Sequence, residues 1–138
     1  MANTKIHSTN YTNTLITVAP DCNLEIAKSN PKPDSVAGMQ LAMLAQKPYS
    51  LTSDDLLFEV FSIRNSLPES DKPLARAAMF SKPQACLRCS PLVKTLGYGI
   101  HHNAQSKIAA IAIESQEYRE LLADDSVNKV AGMRSKKA

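Results

Sequence analysis

The stretch Thr52-Ser-Asp-Asp55, followed by Leu56, Leu57, Val60, Phe61 and Ile63, constrains this chain more than any other feature. Thr52 is placed to accept from the amide of residue 55, and Asp55, in place of the favoured Glu, to accept from the amide of residue 52. This is an approximate capping box. The apolar residues then recur at helical spacing, which predicts an amphipathic helix whose Leu, Val, Phe and Ile side chains are core material. A helix with such a stripe must bury it against a second layer, and the rest of the sequence supplies one.

Thr14-Leu-Ile-Thr-Val18 has the β-branched content and partial alternation of a strand, ended by Ala19-Pro20-Asp21. Tyr98-Gly-Ile-His-His102 and Lys107-Ile-Ala-Ala-Ile-Ala-Ile113 flank the polar turn Asn103-Ala-Gln-Ser106 as the arms of a hairpin. Adjacent strand residues face opposite ways, so with Ile100 inward His102 is inward and His101 outward. Val127 to Met133 reads as an edge strand. Ser35 caps a helix running toward Gln46, with Val36, Met39, Met43 and Leu44 on its apolar side and Leu41 and Ala45 widening it. A further helix runs from Lys72 or Pro73 to Phe80, with Leu74, Ala77, Ala78 and Phe80 as a small apolar surface. Ser90, Pro91 and Gly97 mark the cap, first position and terminating glycine of a short helix, and Ser115 caps another through Leu122. Pro31 and Pro33 lie in a surface connection. The fold class is therefore α+β, helices packed on a small antiparallel sheet, in a single layer of each.

A chain of 138 residues with 43% hydrophobic residues has enough apolar material for one core and no obvious second. The expected division is a flexible N-terminus over 1–12, one α+β domain over 13–134 and a basic flexible tail over 135–138. Much of the net charge of +3 lies in Arg134, Lys136 and Lys137. With aromatic residues at only 5% and no Trp, that tail lacks the stacking platform or basic face of a nucleic-acid binder, so nucleic acid is not the expected partner. No stretch has the pattern of a secretory signal, and no apolar run reaches the roughly 18 residues of a membrane span. The expectation is a cytoplasmic protein with no membrane partner, in which the acceptor pattern Asn10-Tyr11-Thr12 has no chemical meaning. Cys22, Cys86 and Cys89 are an odd set, too few for a disulfide framework, and read as thiols. Oligomeric state is not encoded in any of these patterns.

Five blocks carry a resemblance: Thr52 to Phe58, Phe80-Ser-Lys-Pro-Gln-Ala-Cys-Leu-Arg88, Ser90-Pro-Leu-Val-Lys94, Tyr98-Gly-Ile-His101 and Ala131-Gly-Met-Arg-Ser135. Together they resemble a small bacterial and fungal family of single-domain proteins of unknown function, over Asn10 to Ser135. The resemblance implies a stand-alone domain and brings no activity, cofactor or catalytic residue. In the family pattern Cys86 and Arg88 are in place while position 89 is often not a cysteine. That implies a cluster of Cys86 with Arg88, Ser90, Lys94 and His101, and disfavours a mechanism needing both thiols.

Cys86-Leu-Arg-Cys89 has the spacing of dithiol redox sites and of half a zinc site. Zinc needs about four ligands, and Cys22, His7, His101 and His102 contain no second short-spaced pair, so no metal and no cofactor are expected. Cys86, Cys89 and His101 are the candidate catalytic groups; burial of the thiols is the competing reading, since free cysteine packs as a small apolar residue. The four glycines lack the spacing of a phosphate loop, and Asp54-Asp55 and Asp124-Asp125 are explained by a helix start and a turn. No nucleophile elbow is present. The leading expectation is a non-enzymatic binding domain for a small anionic ligand or a protein carboxylate, with Arg88, Ser90, Lys94, His101 and Arg134 forming the site. The alternatives are a thiol-dependent enzyme or redox protein using Cys86 or Cys89, and a structural protein-interaction domain.

Overall fold

The capping box forms as read. In a computed structural model describing residues 6–135, the Asp55 amide donates to Thr52 Oγ1 and the Thr52 amide to Asp55 Oδ2, each at 3.0 Å. The helix they start, α2, spans Ser53–Arg64. Leu56, Phe58 and Val60 are buried, but Phe61 and Ile63 are 39% and 54% exposed, correcting their assignment to the core. Periodicity assumes one buried stripe, whereas α2 has neighbours on two sides. Leu56 meets the sheet core, while Phe58 turns toward α3 (Lys72–Phe80), where the Arg76 guanidinium lies 5.7 Å from its ring centroid. The α3 surface is corrected too: Phe80 is buried, but Leu74 is 80% exposed and Ala77 and Ala78 are also exposed.

The first helix, α1, spans Val36–Gln46, and Ser35 Oγ accepts from the Gly38 amide at 3.0 Å, as its sequence predicts. Its buried face is not the predicted one: Ala37, Gly38, Gln40 and Leu44 are buried, while Val36, Met39 and Met43 are half-buried. A polar residue is drawn inward because Gln40 Oε1 accepts from Ser90 Oγ at 2.6 Å, which satisfies both groups without water. Small residues are required where α1 meets the preceding connection. A Cβ on Gly38 would fall 1.9 Å from the Lys32 carbonyl oxygen.

Strands β1 (Thr14–Thr17), β2 (Tyr98–His102), β3 (Ile108–Ala112) and β4 (Asn128–Ala131) form one sheet in the order β3-β2-β1-β4. The β1–β2 and β2–β3 pairs are antiparallel, but β4 joins β1 in parallel, so the expected antiparallel sheet is mostly antiparallel. One face carries Ile16, Ile100 and Ile108 against Leu44, Leu56, Leu92 and Val93, from α1, α2 and the short α4 (Pro91–Lys94). On the other face Leu15, Ala109 and Ile111 pack with Tyr118 of α5 (Gln116–Ala123). The class is α+β, several helices packed against a small sheet, with α5 adding a short element beyond the one expected helix layer.

The expected flexible segment 1–12 is tied to α2 over part of its length. Ser8 Oγ, the Thr9 amide and Thr9 Oγ1 all donate to the Asp54 carboxylate at 2.7 to 2.8 Å, and Asn10 Oδ1 accepts from the Asp54 amide. Residues 1–5 lie outside the described residues, as do Lys136 and Lys137 of the expected basic tail. Among the described residues no helix is long and apolar enough to cross a membrane.

Candidate functional site

The residues expected to gather around an anion are only partly brought together. Arg88 Nε donates to the Ala131 carbonyl at 2.7 Å, and the Met133 amide donates to the Arg88 carbonyl at 2.8 Å. Arg88 thereby clasps the end of β4 beside exposed Arg134. Ser90 is buried at 5% exposure, its hydroxyl shared between Gln40 and the Leu92 amide. Pro91 has no N–H, and the Val93 and Lys94 amides donate to the Ser90 carbonyl, so the start of α4 offers no open donors to a ligand. Lys94 sits in that helix's last turn. His101 is on the far face of the sheet from this cluster, since it alternates with Ile100 and His102. Its Nδ1 lies 2.8 Å from Tyr49 Oη, in a small acidic cleft with Glu117, Glu120 and Asp124. Burial holds the His101 pKa below its ordinary value, with Glu117 and Asp124 pulling the other way.

Alternation correctly places His102 inward. It is wholly buried, with the Tyr11 ring edge-on at 5.2 Å between centroids, and its ring nitrogens make no hydrogen bond of good geometry among the described residues. Burial, aided by the neighbouring His101 ring, pushes its pKa down to about 4, although the nearby carbonyls of Ile100 and Thr14 pull the other way. Tyr11 Oη in turn lies 3.4 Å from Cys86 Sγ; that hydrogen bond, with burial, raises the Tyr11 pKa to about 12. Cys86 is half-buried, Cys89 exposed, and both are free thiols. The Cys89 amide donates to the Cys86 carbonyl across a 3₁₀ turn, Leu87–Cys89. Among the described residues no group of three or more His, Cys, Asp or Glu side chains is arranged to hold a metal ion.

A larger concave feature than the His101 cleft lies elsewhere. A groove of about 810 Å³ runs between α1 and β3. Gly38, Ala42 and Ala45, spaced four and three residues apart on α1, form one wall. Ala110 and Ala112 of β3 form the other, Tyr98 lies at the base, and Pro31 to Pro33 close one side. Beside Leu41, which also lines it, the small side chains of Ala42, Ala45, Ala110 and Ala112 make the groove: each leaves space where a Leu or Met would fill the gap between helix and sheet. Lys32 is the one charged side chain among the described lining residues, and neither cysteine lines it. None of these residues belonged to an expected site. The signal was present as alanines at alternate positions of a strand and small residues on one side of a helix, but it read as undistinguished core.

Residues 6–138 match a family of unknown function, DUF6157. The chain belongs to that family. No curated protein and no solved structure matches. DUF6157 membership agrees with the resemblance carried by the Cys86–Arg88 and Tyr98–His101 blocks and attaches no chemistry to them.

Proposed function

We propose that the chain is a non-enzymatic binding domain and that its ligand occupies the α1–β3 groove. The observation that carries this reading is the groove itself: about 810 Å³, the usual scale of a ligand cleft, lined by small apolar groups with a few polar ones at its edge. The anion site expected at Arg88, Ser90 and Lys94 is less favoured, because the Ser90 hydroxyl and the α4 amides are already paired within the chain. Lys32, the one cation among the described lining residues, keeps a place for a carboxylate at the groove's edge.

The test is a two-dimensional amide NMR titration of the uniformly labelled full chain with a library of small neutral and carboxylate-bearing fragments. Binding fragments should shift the amides of Ala42, Ala45, Ala110 and Ala112. The exposed Ala42 replaced by Trp should fill the groove and abolish those shifts while leaving the rest of the spectrum in place. Shifts centred instead on Arg88 and Arg134 would return the site to the cluster read from the sequence.

A further inference from the structure

The groove contains an unfinished hydrogen-bond ladder. In the β2–β3 pair the hydrogen-bonded partners alternate with unbonded ones, and two flanking bonds fix the phase. The Asn103 amide donates to the Lys107 carbonyl, and the Ile113 amide to the Gly97 carbonyl. His101 with Ala109 and Gly99 with Ile111 are therefore the bonded pairs. Ile108, Ala110 and Ala112 direct their backbone groups outward, away from β2, along the free edge of the sheet.

Among the described residues the chain covers this edge only at its two ends. At one end the Tyr49 amide donates to the Ile108 carbonyl at 2.8 Å, and the Ile108 amide to the Leu51 carbonyl at 2.9 Å. At the other, the Ala112 carbonyl accepts from the Ser115 amide and hydroxyl. Between them the Ala110 amide, the Ala110 carbonyl and the Ala112 amide have no partner among the described residues. These three groups open into the groove lined by Ala110, Ala112 and the small residues of α1. An unpaired edge of this kind is a template for another strand.

The geometry points to β-augmentation: an extended segment of a partner polypeptide pairs with Ala110–Ala112 and lies between β3 and α1, with an acidic side chain or terminal carboxylate at Lys32. This rests on the groove being the binding site, and adds the ligand class and its mode of attachment. Three features select a peptide over other occupants. The donor-acceptor-donor order of the open groups is what a strand backbone complements. The small side chains of Ala42 and Ala45 leave room for a backbone and short side chains beside β3. The lone charge among the described lining residues is positive, which favours an acidic segment over a basic one.

The experiment uses the full chain and a library of capped pentapeptides, with β-branched and small residues at alternate positions and either Asp or Asn as the last residue. Retained peptides should shift the Ala110 and Ala112 amides and slow their hydrogen exchange. N-methylation of the one peptide amide that donates to the Ala110 carbonyl should weaken binding about tenfold or more, because the lost hydrogen bond also leaves that acceptor buried. Lys32→Glu should weaken the Asp peptides about three- to tenfold and spare the Asn peptides. Because N-methylation alters only the peptide, it reads strand pairing without any risk to the fold. Binding that Ala42→Trp abolishes but N-methylation leaves intact would keep the groove and overturn the strand pairing. No retained peptide, or protection of Ala110 and Ala112 that appears only with concentration-dependent self-association of the chain, would overturn the peptide as occupant.

Discussion

Acidification should destabilise this protein most strongly through the side chain of His102. Its folded pKa is pushed down to about 4 by burial, from the ordinary 6.5. The unfolded ring takes up a proton below pH ~6.5, whereas the folded ring refuses it until about pH 4. Within that window the unfolded state binds more protons, so stability is full above it and falls as pH drops. The complete loss is about 3 kcal/mol, and about 2.5 kcal/mol of it is reached by roughly pH 4.5. Urea melts between about pH 7 and pH 4.5 measure the slope. The wholly buried ring makes no well-formed hydrogen bond among the described residues, so His102→Leu should stay within about 1 kcal/mol of the parent at neutral pH. Its stability should then change less with pH, by about 2.5 kcal/mol over the range. His101 is also shifted down, and Asp55, Glu114 and Asp124 are held below their ordinary values, so all four lose stability in the same direction. They remain in the variant, and the difference between the two proteins isolates His102. Parallel pH dependences for parent and variant would refute the reasoning.

Leu56→Ala should cost about 2 to 5 kcal/mol in denaturant melts and Phe61→Ala about 1 kcal/mol or less, because the first side chain is wholly buried and the second 39% exposed. Asp54→Ala should cost about 2 kcal/mol or more by removing the acceptor for Ser8 and Thr9, and amide exchange at Thr9 should accelerate. Gly38→Ala should destabilise despite the better helix propensity of Ala, since the new methyl would lie 1.9 Å from the Lys32 carbonyl oxygen; a stabilised melt would refute that contact. Cys89, being exposed, should alkylate faster than Cys86, which is half-buried against Tyr11; mass spectrometry of partly modified protein gives the order.

The sequence by itself determined the punctuation of the chain. Ser35, Thr52, Ser90 and Ser115 each cap the helix they were expected to start, because a cap needs only a side-chain oxygen and an amide two or three residues away. Gly97, at φ +82°, ends the turn after α4 as its position implied. The hairpin and the inward turn of His102 followed from alternation, which is equally local. What touches what was decided by tertiary structure alone. Phe58 is buried and Phe61 exposed because α3 and the 7–12 segment occupy a second side of α2, a fact absent from the helix's own spacing. Arg88 and Ser90 were read as ligand groups, but folding gives them backbone and side-chain partners many positions away. The α1–β3 groove was equally hidden: an alanine reads as weakly apolar filler in either element, and a cleft exists only where two such faces are laid side by side. Whether a polar group is free for a ligand, and whether a gap stays open, depends on distant segments, and that information lies in the packing rather than in any stretch of sequence.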